Sequence, residues 1–286
     1  MDRRARTERH RRSRGVALVA VLLLVAGLIA VATAVVTLSV NHRRAAQRAA
    51  EAESRRELLD GAIRVALAEI AGGKPEGPYW LPRQPRMVKV ADALVEVTLE
   101  REGGRIDLNT ADPKYLVAAL VVMGRSEAEA RAGAVRIRDW IDADDVAGPG
   151  GGAERREYQA AKLQYEPRNG PFESVGELRQ VLGLHDLTDA QLDAFTVYSQ
   201  QAEPFAAEAP QIVRDALAWL AGTAGQGGAE TVPPAPPASS LGPVSYAGSV
   251  IRLRACNSRE RAAPCRTTVQ RVTGSSRQPF QVFAWR

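Results

Sequence analysis

From Val16 to Val40 the chain runs for 25 residues without a charge. As a helix this stretch is about 37 Å long at roughly 1.5 Å per residue, enough to cross a hydrocarbon core of about 30 Å. A cleaved signal peptide ending at Ala32-Thr33-Ala34 is one reading of it. The apolar run continues past that site through Val35, Val36 and Leu38, which favours a retained anchor. The pattern then becomes that of an amphipathic helix, with Leu59, Ile63, Leu67 and Ile70 at helical spacing and Gly72-Gly73 then Pro75 as its stop. Anchor and helix read as one rod over 16–72.

Beyond the rod the period changes to two. Val95, Val97 and Leu99 alternate with Glu96, Thr98 and Glu100, and Gly103-Gly104 reads as a turn into Ile106 and Leu108. This predicts a hairpin with one buried face, the first strands of a sheet over 88–108. From 109 to 220 helical spacing returns. Three capping-box pairs mark helix starts: Ser126 with Glu129, Ser174 with Glu177, and Thr188 with Gln191. Apolar stripes follow at Val135, Ile137 and Ile141, at Leu178, Val181 and Leu182, and at Leu192 and Phe195, with "PQIVRDALAWL" as one more amphipathic helix. Residues 221–243 are a Gly/Pro linker. Within 244–286, three strand-like runs at 250–255, 267–273 and 280–285 complete the sheet. The expected fold class is α+β, a long N-terminal helix packed on an antiparallel sheet with a large inserted α-helical subdomain.

Charge bears on topology more than on ligands. Residues 1–14 carry seven Arg against Asp2 and Glu8, which equals the whole net charge of +5. Positive charge flanking an apolar run stays cytoplasmic, so the bulk of the chain is expected outside the cytoplasm. The C-terminal 244–286 hold eight Arg against the single acid Glu260, and the part before them, from residue 15, is acidic. The basic end either meets that acidic middle, in this subunit or a neighbour, or forms a solvated sheet face. In an oxidising compartment Cys256 and Cys265, the two cysteines, read as a disulfide closing a short loop, worth on the order of 2–3 kcal/mol. Two buried free thiols are the alternative. His10, His42 and His185 are scattered, which argues against zinc.

The ordered set "GRIDLNTADPKYLVAAL", "RIRDWIDADD", "GGAERREY" and "NGPFESVGELRQVLGL" resembles the type II secretion minor pseudopilin called general secretion pathway protein K. The N-terminal "RSRGVALVAVLLLV" and the closing "VFAWR" are similar to that family's ends. The resemblance implies a prepilin-type leader over 1–15, cut by prepilin peptidase after Gly15, with Val16 as the new, N-methylated terminus. The anchor is then kept in the inner membrane as a single span with the bulk periplasmic. Ala20 stands at the mature fifth position, where most pilin-like subunits have Glu. A Glu there is costly in lipid unless a neighbouring subunit pairs with it, and its absence suits a subunit with an incomplete set of neighbours. The implied role is assembly with minor pseudopilins I and J at the tip of the pseudopilus shaft, mechanical and not enzymatic.

A calcium ion is the implied cofactor. The helix through Trp140 and Ile141 is expected to end in Asp142-Ala143-Asp144-Asp145, which sets three carboxylates at the negative end of a helix dipole. The glycine-rich "VAGPGGGAERREY" can fold back to bring Glu154 to them, and Ca²⁺ takes 6 to 8 oxygen ligands. The spacing is not that of an EF-hand. The resemblance implies Asp142, Asp144, Asp145 and Glu154 as the side-chain ligands. A solvated acidic loop neutralised by Arg155, Arg156 or the basic C-terminal strands is the competing reading. Two other functional classes compete with this reading. The turn Met123-Gly124-Arg125-Ser126 resembles a helix-hairpin-helix of membrane-tethered DNA-uptake receptors, but it lacks a second glycine and the helical region is not basic, so nucleic acid is not expected. Asp142 with Glu154 has the composition of a hydrolytic pair, without any accompanying nucleophile elbow, metalloprotease helix or phosphate loop.

Overall fold

The computed structural model describes residues 4–72, 80–224, 246–257 and 265–286, with side chains from residue 19 onward. The chain forms two compact units, 1–58 and 59–286. Most of the linker expected over 221–243 lies outside the described residues, as does the side-chain environment at the expected cleavage point between Gly15 and Val16.

The first unit is the greater part of helix α1 (Arg4–Gly72), whose Leu22, Leu23, Leu24, Leu28 and Ile29 are all exposed. Exposed leucine and isoleucine in such density suit lipid rather than water. Among the described residues this helix alone is long and apolar enough to cross a membrane. Hydroxyls do not interrupt it, because Thr33, Thr37 and Ser39 donate to carbonyls one turn earlier, at Ile29, Thr33 and Val35.

In the second unit the end of α1 turns one face inward. Leu59, Ala62, Ile63, Ala66 and Leu67 are buried, at the spacing of a single helix face. That face lies on a five-stranded antiparallel sheet of order β1-β2-β5-β6-β7, made of β1 (Arg86–Val90), β2 (Ala93–Arg101), β5 (Val250–Asn257), β6 (Arg266–Val272) and β7 (Phe280–Trp285). Val95, Val97 and Leu99 are fully buried, as their alternation predicts. The helix is fastened at the far edge by Asp60, which accepts from Arg266 Nε (2.9 Å) and Trp285 Nε1 (2.8 Å). Burial alone raises the proton affinity of Asp60, but these two donors win and hold its carboxyl below the usual carboxylate range.

The hairpin differs from the expected one. Its turn is at Ala91-Asp92, between β1 and β2, not at Gly103-Gly104. After β2 the chain enters a 3₁₀ turn (Glu102–Gly104) and leaves the sheet. Ile106 and Leu108, read as the return strand, go instead into the helical subdomain. There β3 (Ile106–Asp107) pairs in parallel with β4 (Phe195–Thr196). Both sides of β2 are already taken, by β1 and by β5, so no place beside it is left for a returning strand. Gly104 instead packs closely on the backbone of Glu208 and Ala209.

The subdomain is built on α2 (Pro113–Val122), α3 (Glu127–Asp139), α4 (Arg155–Ala160), α5 (Asp189–Leu192) and α6 (Gln211–Ala224), with Leu116, Leu120, Ile137, Tyr158, Leu178 and Phe195 fully buried in its core. All three capping boxes form, though the one at Ser174 heads a 3₁₀ turn (Val175–Gln180) and the one at Thr188 a single helical turn. Asp112 caps α2, with Pro113 pre-set at its first position. Cys256 and Cys265 are joined, with Cα atoms 4.5 Å apart, while the loop between them at 258–264 lies outside the described residues.

Candidate metal centre

Helix α3 ends at Asp139, two residues before Ile141, where its apolar stripe ends, and Trp140 is its C-terminal cap. Trp140 stops the helix by packing sideways, its ring stacked on Phe172 (5.9 Å between centroids) and tilted against Tyr158 (6.2 Å). The last helical turn therefore carries Asp139, and Asp142 follows three residues on, near the same face. The loop after it folds back onto Asp139, whose Oδ2 accepts from Gly148 N (3.1 Å) and Ala153 N (2.7 Å). Glycine is required at 152, because a Cβ there would strike both the Asp139 carboxylate and the backbone of Gly148. The folded loop delivers Glu154, just before α4, to the end of α3.

Oxygens of Asp139, Asp142 and Glu154 then lie within 4.8 Å of one another. Asp139 and Glu154 are buried while Asp142 is open to solvent. The sequence-predicted Asp142 and Glu154 meet here. The structure does not bring Asp144 or Asp145 into this group; both are exposed, and Asp144 Oδ1 accepts from Val146 N (2.8 Å). Asp139 was missed. Its signal was its position three residues before Asp142, hidden by the assumption that the helix continued through Ile141.

No cationic side chain among the described residues answers this charge. Among the described residues none of the three carboxylates has an ion-pair partner, and neither oxygen of Glu154 has a hydrogen-bond partner. Arg155 turns away to Glu166 (2.8 Å), and Arg136 donates to the carbonyls of Gly151 (2.8 Å) and Leu182 (3.0 Å). Burial, followed by the charges of Asp139, Asp142, Asp145 and Asp144, pushes the Glu154 carboxyl up to about 7. Burial with Asp144 and Asp139 raises Asp142 as well.

The basic C-terminal strands are engaged elsewhere. Arg252 Nε reaches Glu102 (2.6 Å) and its Nη1 reaches Asp193 (2.7 Å), while Arg266 is on Asp60. The basic end thus does meet the acidic middle within one subunit, but at the junction of sheet and subdomain. Compensation of the acidic loop by those arginines is not what the fold provides. The helix-hairpin turn at 123–126 joins α2 to α3 through Gly124 (φ +99°), and Arg125 pairs with Asp186.

A hard cation fits the group that is present. The separation of 4.8 Å is about twice a calcium–oxygen distance of 2.3–2.6 Å, the donors are all carboxylates, and one of them is buried with both oxygens unused. No sulfur or imidazole contributes, so zinc chemistry is not indicated.

Comparison with known proteins agrees with the fold and the sequence motifs. Residues 98–199 match the family described as type II secretion system (T2SS), protein K. No curated protein sequence matches the chain. Among solved structures, a chain in the crystal structure of the GspK-GspI-GspJ complex from the enterotoxigenic Escherichia coli type 2 secretion system is similar in fold. Its TM-score is 0.56 at 14% identity, covering 86% of this chain and 98% of that one.

Proposed function

We propose, from a chain whose residues 98–199 belong to the type II secretion system protein K family, that it is a minor pseudopilin at the tip of the secretion pseudopilus. It works there with pseudopilins I and J in the export of folded proteins across the outer membrane. The observation that carries this reading is the coincidence of two features: a long apolar-to-amphipathic helix whose end, from Leu59 onward, packs on an antiparallel sheet, and a K-type helical subdomain inserted between the strands of that sheet. The likeness in fold to a chain of the GspK-GspI-GspJ complex supports it further. The role is mechanical. Helix α1 anchors the subunit in the inner membrane as a single span, with the Arg-rich end cytoplasmic and the second unit periplasmic. Prepilin peptidase removes residues 1–15, leaving Val16 as a methylated terminus.

Asp139, Asp142 and Glu154 hold a calcium ion in this reading. When bound, the ion supplies the positive charge that the loop's own arginines do not. Asp139 also ties the loop by accepting from Gly148 and Ala153, so ligation and loop closure share one residue.

The test of the tip reading is assembly. The full-length chain, co-expressed with the pseudopilins I and J of its own system and extracted in detergent, is expected to co-purify as a three-subunit complex. Failure to associate while all three are folded would overturn the assignment.

A further inference from the structure

Helix α1 carries its charges in order. Val40 closes the apolar run, and the next charged residues outward are Arg43, Arg44 and Arg48, with no acid before Glu51. Past that point the signs mix, Glu51, Glu53 and Glu57 standing among Arg55 and Arg56, and Arg56 pairs with Glu53 (3.3 Å). Arg43, Arg44 and Arg48 are exposed, and among the described residues no acid pairs with any of them. Once residues 1–15 are removed, the span 16–40 keeps no Lys or Arg on its inner side, and these three arginines are the basic flank that remains.

Their height on the helix decides what can meet them. A bilayer core of about 30 Å becomes about 40–45 Å with its headgroups, so each headgroup layer is roughly 5–7 Å deep. With Val40 at the edge of the core, Arg43 and Arg44 start about 4.5–6 Å further out at roughly 1.5 Å per residue, within that layer, and Arg48 starts about 12 Å out. Tilting the helix lowers all these heights together. Helical side chains lean toward the helix N-terminus, here the membrane side, so all three arginines set out toward the bilayer. The nearest acid, Glu51, starts about 16 Å out. Attraction to an anionic surface fades over about 8 Å at physiological salt, so the three arginines feel it strongly while the repulsion of the acids beyond is muted. The planar guanidinium fork matches two phosphate oxygens at once.

We propose that Arg43, Arg44 and Arg48 form a collar on α1 that binds the phosphates of anionic phospholipids in the outer leaflet of the membrane the helix crosses. The leaflet follows from the single-span orientation of the reading above. The collar fixes the depth of the anchor after the Arg-rich leader has gone, and it ties the base of the exposed rod 41–58 to the headgroups. Arg55 and Arg56, roughly 22–24 Å past Val40, stand too far out to share in it.

The test is lipid selectivity of the full chain, processed in its own cells, purified in detergent and reconstituted into phosphatidylcholine vesicles. Trace spin-labelled phosphatidylglycerol or spin-labelled phosphatidylcholine is the probe, and electron paramagnetic resonance reads the fraction of lipid immobilised on the protein. Both leaflets are alike in such vesicles, so the direction of insertion does not enter. The wild type should hold phosphatidylglycerol over phosphatidylcholine by about threefold or more at low salt, with the preference falling as salt rises. Arg43→Gln/Arg44→Gln/Arg48→Gln, which keeps good helix formers in place, should lose most of that preference, and Arg55→Gln/Arg56→Gln should keep it. Equal immobilisation of the two lipids by the wild type overturns the collar, as does a preference that survives in the triple variant. An equal loss in the Arg55/Arg56 variant also overturns it, as an effect of net charge alone. Intact mass of the same samples shows whether the chain begins at Val16; a retained leader would count against the processing in the reading above, while the difference between wild type and triple variant would still decide the collar.

Discussion

Among the described residues Glu102 and Glu154 are the two glutamates buried almost completely, at 0% and 2% exposure, and their surroundings are opposite. Glu102 accepts from Arg252 Nε (2.6 Å) and Nη2 (3.2 Å) and from the Thr196 hydroxyl. Beside it the fully buried Arg105 reaches Glu100 and the carboxylate and carbonyl of Asp193. Burial alone would lower the proton affinity of Arg105, yet Glu102, Asp193 and Glu100 raise it further still. At this junction two cations stand among three acids, and every buried group has a partner. Glu154 stands among acids with no cation and no donor. Taking a carboxylate out of water costs several kcal/mol unless it is paired. The junction meets that cost within the chain; the loop leaves it to something from outside. One cluster holds the subdomain to the sheet, and the other is open to a ligand.

The largest effect should come from opening the closed cluster. Arg252→Ala leaves Glu102 fully buried with the Thr196 hydroxyl as its one hydrogen-bond donor and only the through-space charge of Arg105, and breaking a buried pair from one side costs roughly 3–5 kcal/mol. At about 2–4 °C per kcal/mol for a unit of this size, the melting temperature should fall by on the order of 10 °C. All four tryptophans (Trp80, Trp140, Trp219 and Trp285) lie in the second unit, so intrinsic fluorescence follows its unfolding alone. The fall should be the same with calcium and with chelator. A loss under about 1 kcal/mol would mean that pairing at the junction is not what separates it from the loop.

The open cluster should respond in the opposite sense. Glu154→Gln removes a charge that no described residue answers, so in chelator at pH 8 the variant should melt a few degrees above wild type. The same variant should lose most of the rise that calcium gives. The pH dependence follows from the direction of the shift. In the folded protein the Glu154 carboxyl is raised from 4.5 to about 7, so between those values the native state binds the proton and the unfolded chain does not. Its contribution to stability is complete below about 4.5 and is lost as pH rises through 7. Wild type in chelator should therefore lose stability across that window, and Glu154→Gln should not. Parallel pH profiles for the two proteins would show that Glu154 is compensated after all.

The sequence makes periodic features visible and hides those that depend on what lies opposite. Val95, Val97 and Leu99 alternate because one sheet face is covered by α1, and that periodicity survives into the fold. The capping boxes at Ser126, Ser174 and Thr188 are local chemistry, readable over four residues. Gly103-Gly104 has the composition of a hairpin turn, but the place beside β2 that a returning strand would take is filled by β5, from the far end of the chain. The end of α3 was placed too late for a similar reason. Ile141 continues the apolar stripe, but Trp140 packs on Phe172 and Tyr158 and the helix stops. That small error in register exchanged Asp144 and Asp145 for Asp139 in the carboxylate group.

This exchange sets the last and smallest expected effect. Asp144 and Asp145 are exposed and stand outside the group, so they act on it only through space. Surface charges are screened over about 8 Å at physiological ionic strength, and each contributes little. Replacing both by Asn removes that Coulomb contribution but keeps an oxygen at 144 to accept from Val146 N, so the turn is preserved. Calcium affinity of Asp144→Asn/Asp145→Asn should fall less than about threefold at physiological salt, and less again at higher salt. Asp139→Asn, which keeps an acceptor for the loop amides but removes a ligand charge, should lose far more. If the double variant instead loses tenfold or more, and raised salt does not reduce the loss, Asp144 and Asp145 reach the ion in the loaded protein. The loop would then close further around calcium than it does here.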